Sequence, residues 1–303
     1  MPSVTAPIRI KLQNILFATD FSPSAESALS YAIHLAHRYE AGLYTVNVLP
    51  HLPFVEAPQP DPEQARFLAE QRMAAFIGSE SFKNVRHKEL IEEGEVPEVL
   101  SKLARKYEID LVVIGTCGRK GLGKLLLGSV AEEVFRDAEC PVLTVGPHAT
   151  RGKVDGDLRH ILYATDFGTE STYGLPYAIS MAEENRARLT LLHVAPEPGV
   201  ALPEAEPGTM PVFDRSEVVA FTEQQLRALI PEGSQLWHEP EYIVEFGSAA
   251  ETILRIAADT VDMIVMGVKR PTALTKHLGA GVAYKVVCGA PCPVLSVGAR
   301  YVC

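Results

Sequence analysis

Asn14-Ile15-Leu16-Phe17-Ala18-Thr19-Asp20-Phe21 returns later in the chain as His160-Ile161-Leu162-Tyr163-Ala164-Thr165-Asp166-Phe167, an offset of 146 residues (20 to 166). A short apolar run closing on Thr-Asp reads as a buried strand that runs into a turn. Two more matches follow in the same order. Ile109-Asp110-Leu111-Val112-Val113-Ile114-Gly115 recurs as Val261-Asp262-Met263-Ile264-Val265-Met266-Gly267, and Cys140-Pro141-Val142-Leu143 as Cys292-Pro293-Val294-Leu295, both offset by 152 (110 to 262, 140 to 292). Three ordered matches with so small a slip mean duplication. The 303 residues then divide into two domains of ordinary size, expected at 1–147 and 157–303, joined by a charged, Gly-containing stretch without hydrophobic periodicity.

Working outward from the first run, the pattern predicts strands at Gln13–Thr19, Leu43–Leu49, Lys88–Glu93, Leu111–Gly115 and Val142–Val145. Helices are expected between them at Ser24–Tyr39, Pro62–Gly78, Pro97–Tyr107 and Ser129–Asp137, with the same order in the second copy. Val-, Ile- and Leu-rich strands alternating with amphipathic helices signal an α/β fold: two tandem Rossmann-like domains, each a five-stranded, mainly parallel sheet flanked by helices. Each copy ends in an apolar strand, Val142–Val145 and Val294–Val297. An uncovered apolar edge invites pairing, so these two strands are expected to pair with each other as an intrachain pseudo-dimer, with a homodimer of chains as a further option.

Composition narrows the function classes. A formal charge of -10 disfavours a nucleic-acid partner, because phosphate backbones attract basic surfaces. No apolar run approaches the roughly 20 residues of a membrane span, and residues 1–11 hold no signal-type core, so a cytoplasmic, membrane-free protein is the expectation. Five cysteines, Cys117, Cys140, Cys288, Cys292 and Cys303, are too few and odd in number for a disulfide framework.

In a doubly wound sheet, ligands sit beyond the carboxyl ends of the strands where strand order reverses. The first strand ends in Ala18-Thr19-Asp20 and the fourth in Gly115-Thr116-Cys117-Gly118, whose loop runs to Gly128-Ser129. If the two strands are neighbours, Asp20 faces the glycine loop across one crevice. Glycine permits close backbone approach and positive φ, while a helix opening at Gly128-Ser129 presents free N–H groups to phosphate. Arg119, Lys120 and Lys124 add three cations to this one loop. The run Gly118 to Lys124 imitates a Walker A motif, but Leu125 stands where a Mg²⁺-binding Ser or Thr is required, and the loop follows the fourth strand rather than the first.

Gly115-x2-Gly118-x9-Gly128-Ser129, together with Ala18-Thr19-Asp20-Phe21-Ser22, resembles the ATP-binding signature of the universal stress protein (UspA) family, and the resemblance covers both copies. It implies an adenine-nucleotide site in which Ala18, Thr19, Asp20 and Val48 contact adenine and ribose. Gly115, Gly118, Arg119, Gly128, Ser129 and Val130 would surround ribose and phosphates. The cofactor it implies is ATP, which Mg²⁺ or Mn²⁺ often accompanies in that family; the residues themselves outline no metal site. It also implies a regulatory role in stress response through protein partners, with slow hydrolysis at most.

The second copy departs from the signature. Arg270 replaces Gly118 and Ala280-Gly281 replaces Gly128-Ser129, while Gly267, Asp166 and Val194 remain. A side chain at Arg270 obstructs close approach and Pro271 stiffens the turn, so ATP is expected in the first copy, with weak, altered or absent binding in the second. Asp166 is expected to serve its own turn, Cys117 to be a small apolar filler, and Cys288-x3-Cys292 not to bind zinc. His34, His37, His51 and His87 show no metal-ligand spacing, and the Pro-rich segments 51–62 and 196–211 read as exposed loops. No catalytic triad or paired-carboxylate spacing appears, which favours binding over catalysis. An adenylylating enzyme of the wider adenine nucleotide α-hydrolase group and a nucleotide-free scaffold are the alternatives.

Overall fold

The computed structural model describes residues 10–49, 61–77, 82, 85–116, 128–147, 149, 158–197, 214–269 and 281–298. In the first copy the elements are β1 (Asn14–Ala18), α1 (Pro23–Arg38), β2 (Gly42–Leu49), α2 (Pro62–Ile77), β3 (Arg86–Glu93), α3 (Val96–Lys106), β4 (Leu111–Gly115), α4 (Ser129–Asp137) and β5 (Val142–Val145). The second copy supplies β6 (His160–Ala164), α5 (Thr169–Thr172), α6 (Leu175–Asn185), β7 (Arg188–Ala195), α7 (Arg215–Leu229), β8 (Glu241–Phe246), α8 (Ala249–Thr260), β9 (Met263–Val268), α9 (Val282–Gly289) and β10 (Val294–Gly298).

All ten strands form one sheet in the order β3-β2-β1-β4-β5-β10-β9-β6-β7-β8. Neighbours within each copy are parallel. The copies join where β5 meets β10 antiparallel, with Val294 opposite Thr144, Leu295 opposite Leu143 and Ser296 opposite Val142. The two apolar last strands thus cover each other, and Thr144 Oγ1 donates to the Val294 carbonyl at 3.1 Å across the seam.

Ile15, Leu16 and Phe17 are fully buried because helices cover both faces of the sheet. One apolar cluster packs α1, α6 and α7 on one face, through Tyr31, Leu35, Ile179 and Leu226 among others. The other packs α3, α4, α8 and α9 through Leu100, Val134, Ile253 and Val286. Each cluster contains residues of both copies, so the two cores are continuous across the seam.

The second copy does not repeat the first helix as the sequence pattern predicts. Where α1 runs unbroken, α5 and α6 are separate pieces. Pro176, in the first turn of α6, has no N–H to continue a helix from Thr172. Gly174 at the break lies flat on β9, where a Cβ would stand 3.1 Å from Gly267 N.

A repeated device fixes the strand starts. Asp110 Oδ2 accepts from the Gln13 and Asn14 N–H groups at 2.7 and 2.9 Å, and Asp262 Oδ2 does the same for Arg159 and His160 at 2.9 and 2.9 Å. The recurrent aspartate of the sequence repeat is therefore explained by folding.

Candidate nucleotide crevice

Strand order reverses between β1 and β4, which pair parallel with Ala18 opposite Ile114. The chain leaves β1 through a tightly held turn. Thr19 N–H donates to the Val46 carbonyl at 2.9 Å, and Asn47 Nδ2 donates to the Thr19 carbonyl at 2.7 Å. Thr19 Oγ1 accepts from Phe21 N–H at 2.9 Å, and Asp20 Oδ1 accepts from Ser22 N–H at 3.0 Å. These bonds hold Phe21 at φ 60°, a left-handed conformation unfavourable for so bulky a residue. Ser22 then caps α1, its Oγ accepting from Ala25 N–H at 3.3 Å. Asp20 is left half-buried at the edge of the sheet. Val48, also half-buried, lies two residues past Val46, the partner of Ala18, so β2 walls the crevice beyond the end of β1.

On the β4 side, Thr116 N–H donates to the Val145 carbonyl at 3.0 Å and Gly128 N–H to the Thr116 carbonyl at 2.8 Å. The end of β4 and the start of α4 are therefore held side by side. Gly128 caps α4 with no side-chain bond, and the first intrahelical bond runs from Glu132 N–H to the Gly128 carbonyl at 2.8 Å. The N–H groups of Ser129, Val130 and Ala131 precede that bond, which makes this end of α4 an electropositive donor set. Val130 is 42% exposed.

Gly115 requires a correction. It does not take positive φ. A Cβ there would stand 2.7 Å from Ser24 Oγ and 2.9 Å from the Ser24 carbonyl carbon, so its missing side chain admits the start of α1. Gly267 plays the same part in the second copy, where a Cβ would collide with the backbone of Glu170 and Ser171. Its retention there is therefore structural.

Of the residues that the sequence marks, Ala18, Thr19, Asp20, Val48, Gly115, Gly128 and Val130, with the backbone of Ser129, come to one edge of the sheet. Gly118 and Arg119 lie outside the described residues, as do Cys117, Lys120 and Lys124. Asn47 was not singled out by its chemistry, though the 146-residue offset pairs it with His193, and that signal was available.

The second copy keeps the turn. Thr165 N–H donates to the Leu192 carbonyl at 2.9 Å, Phe167 N–H to Thr165 Oγ1 at 3.0 Å and Gly168 N–H to Asp166 Oδ1 at 2.8 Å, with Phe167 again at φ 60°. His193 replaces Asn47, its Nδ1–H donating to the Thr165 carbonyl at 2.9 Å. Asp166 thus serves its own turn, as expected. Lys269 Nζ lies 3.9 Å from Glu170 Oε1; Arg270, Pro271 and Ala280 lie outside the described residues. Among the described residues no three His, Cys, Asp or Glu side chains gather as a cation site would need.

Comparison with known proteins settles the family. The universal stress protein family model matches the chain twice, over residues 11–146 and 157–298. The chain belongs to the universal stress protein family. Universal stress protein MJ0531 of Methanocaldococcus jannaschii is 34% identical over 143 residues, 44% of this chain and 81% of its own length. A putative universal stress protein of Staphylococcus aureus is 31% identical over 141 residues, 45% of this chain and 85% of its own. A universal stress protein from Archaeoglobus fulgidus shares the fold at TM-score 0.66 and 19% identity, covering 96% of this chain and 100% of that one. Among the described residues of this universal stress protein no helix is long and apolar enough to cross a membrane.

Proposed function

We propose that this universal stress protein binds ATP in the crevice of its first copy and acts, according to nucleotide occupancy, on protein partners in stress adaptation. The observation that carries the reading is the reversal of strand order between β1 and β4, which brings Asp20, Val48 and the uncapped start of α4 to one edge of the sheet. There, the Asp20 carboxylate and the Ala18 and Val48 backbones would hold adenine and ribose, while the first N–H groups of α4 would take phosphate oxygens. Gly118, Arg119 and Ser129 complete the phosphate side by the sequence motif. ATP suits these donors, and an accompanying Mg²⁺ or Mn²⁺ would offset part of the phosphate charge. The second copy, with Arg270 in place of Gly118, would bind weakly or not at all. The charge of -10 supports a protein rather than a nucleic-acid partner and fits the cytoplasm.

The test is to purify the full chain without added nucleotide, identify what is released on denaturation, and titrate ATP, AMP and cyclic AMP into wild type and Gly118→Arg with and without Mg²⁺. A single adenine nucleotide per chain, lost in Gly118→Arg, supports the reading. No saturable binding, or binding unchanged in the variant, overturns it.

A further inference from the structure

At the other end of the strands from Gly115, four side chains meet at the first copy's outer edge. Tyr107, which follows α3, stacks its ring on Tyr44 of β2 with centroids 4.7 Å apart. Lys88 Nζ, from the edge strand β3, donates to the Tyr107 hydroxyl at 3.2 Å and lies 4.8 Å from its ring centroid. Lys106 Nζ lies 5.1 Å from the same centroid. Lys88 and Lys106 are exposed and Tyr107 is half-exposed, so the phenol is open to reagents.

A ring over which two ammoniums lie is an ordinary cation–π arrangement. The hydroxyl contact adds something more, because an ammonium donating to a phenolic oxygen favours its ionised form. The second copy has none of this. Thr190 and Glu241 occupy the paired positions of Tyr44 and Lys88, and their neighbourhood is built instead on a His160–Thr190–Glu241 hydrogen-bond chain. The cluster therefore belongs to one copy and is not a requirement of the fold.

We propose that Tyr107 is a modification site, its side chain the first phenol among the described residues to react with tetrahedral sulfur(VI) or phosphorus(V) electrophiles. The phenolic oxygen attacks the central atom, a new O–S or O–P bond forms, and the leaving group departs with the bonding pair: fluoride from a sulfonyl fluoride, a nucleoside diphosphate from a nucleoside triphosphate. The phenolic proton passes to solvent. Lys88 stabilises the attacking phenolate, and Lys88 and Lys106 then face the neutral sulfonyl oxygens or the phosphoryl oxyanions that the modification installs. The Tyr107 hydroxyl is held below its ordinary value, the Lys88 hydrogen bond being the largest cause. Burial raises Tyr242 and Tyr284 and pushes Tyr163 up to about 12.

Full-length protein treated with a limiting amount of an aryl sulfonyl fluoride near neutral pH, followed by intact mass and peptide mapping over time, tests this. The first adduct is expected on Tyr107 and is lost in Tyr107→Phe. Lys88→Met slows it by about two- to fivefold, the effect of one exposed charge, and Lys88→Arg restores it. A first adduct on another tyrosine or on Lys88 itself would falsify the assignment. So would Lys88→Met labelling at the wild-type rate with an unchanged melting temperature, which would leave the cluster as packing between β3 and α3.

Discussion

Ser24 and Gly115 share one space: a Cβ on Gly115 would stand 2.9 Å from the Ser24 carbonyl carbon. The contact is with backbone, which has no rotamer to move. Gly115→Ala is therefore expected to destabilise the protein by about 1–3 kcal/mol, the usual cost of overpacking. Gly267→Ala, which would meet two backbone residues, costs more. Urea unfolding without nucleotide measures both, and a neutral result would return Gly115 to the ligand.

Asp110 and Asp262 each accept two backbone N–H groups at the start of the neighbouring strand. Asp262→Ala leaves the Arg159 and His160 donors without their acceptor, and about 1–3 kcal/mol is expected to be lost. Asp262→Asn keeps the oxygen but not the charge and should cost less. The urea midpoints of the two variants give the comparison.

Stability should fall as pH drops below about 6.5. His160 is held below its ordinary value, chiefly by burial and next by Arg188, with Glu241, Asp262 and a Thr260 hydrogen bond opposing. Its bonds are all satisfied in the neutral form. Thr190 Oγ1 donates to Glu241 Oε2 at 3.0 Å and so accepts from His160 Nε2–H at 2.7 Å, which leaves Nδ1 to accept from Thr260 Oγ1 at 2.9 Å. The unfolded chain takes up the proton first as pH falls, so the stabilisation is whole above the ordinary value and lost as pH falls toward the folded one. His87 shifts the same way, by burial. Urea midpoints between pH 5 and 8 should slope in wild type and flatten in His160→Asn; equal slopes would remove His160 from the account.

Both apolar clusters run through both copies, so the chain should unfold as one unit despite its tandem sequence. Calorimetric and van't Hoff enthalpies are expected to agree. Leu143→Ala, at a fully buried residue opposite Leu295, should lower the single transition by about 2–5 kcal/mol without splitting it. Two resolved transitions would show the copies to be independent.

The architecture was legible because a parallel sheet buried on both faces leaves long apolar runs such as Ile15 to Phe17 and Val112 to Ile114, and because duplication wrote each run twice. The β5–β10 seam followed from two apolar end strands needing cover. The break between α5 and α6 was missed because Pro176 falls inside an otherwise helical pattern and only its fit against β9 explains the stop. At the crevice, the residue types were visible but their reasons were not. Gly115 and Gly267 look alike in sequence and owe their missing side chains to a neighbouring helix, which no motif reveals. Asn47 and His193 do one job, holding a threonine carbonyl, with unrelated side chains.

The antiparallel seam also sets the direction in which each copy faces. It turns the second copy end for end, so the carboxyl ends of its strands open on the rim of the sheet opposite to those of the first. A strand of five residues separates the rims by about 16 Å. The copies are joined by the β5–β10 seam and by the apolar clusters that run through both of them. The protein is two-faced in the literal sense, each copy opening the carboxyl ends of its strands on its own rim.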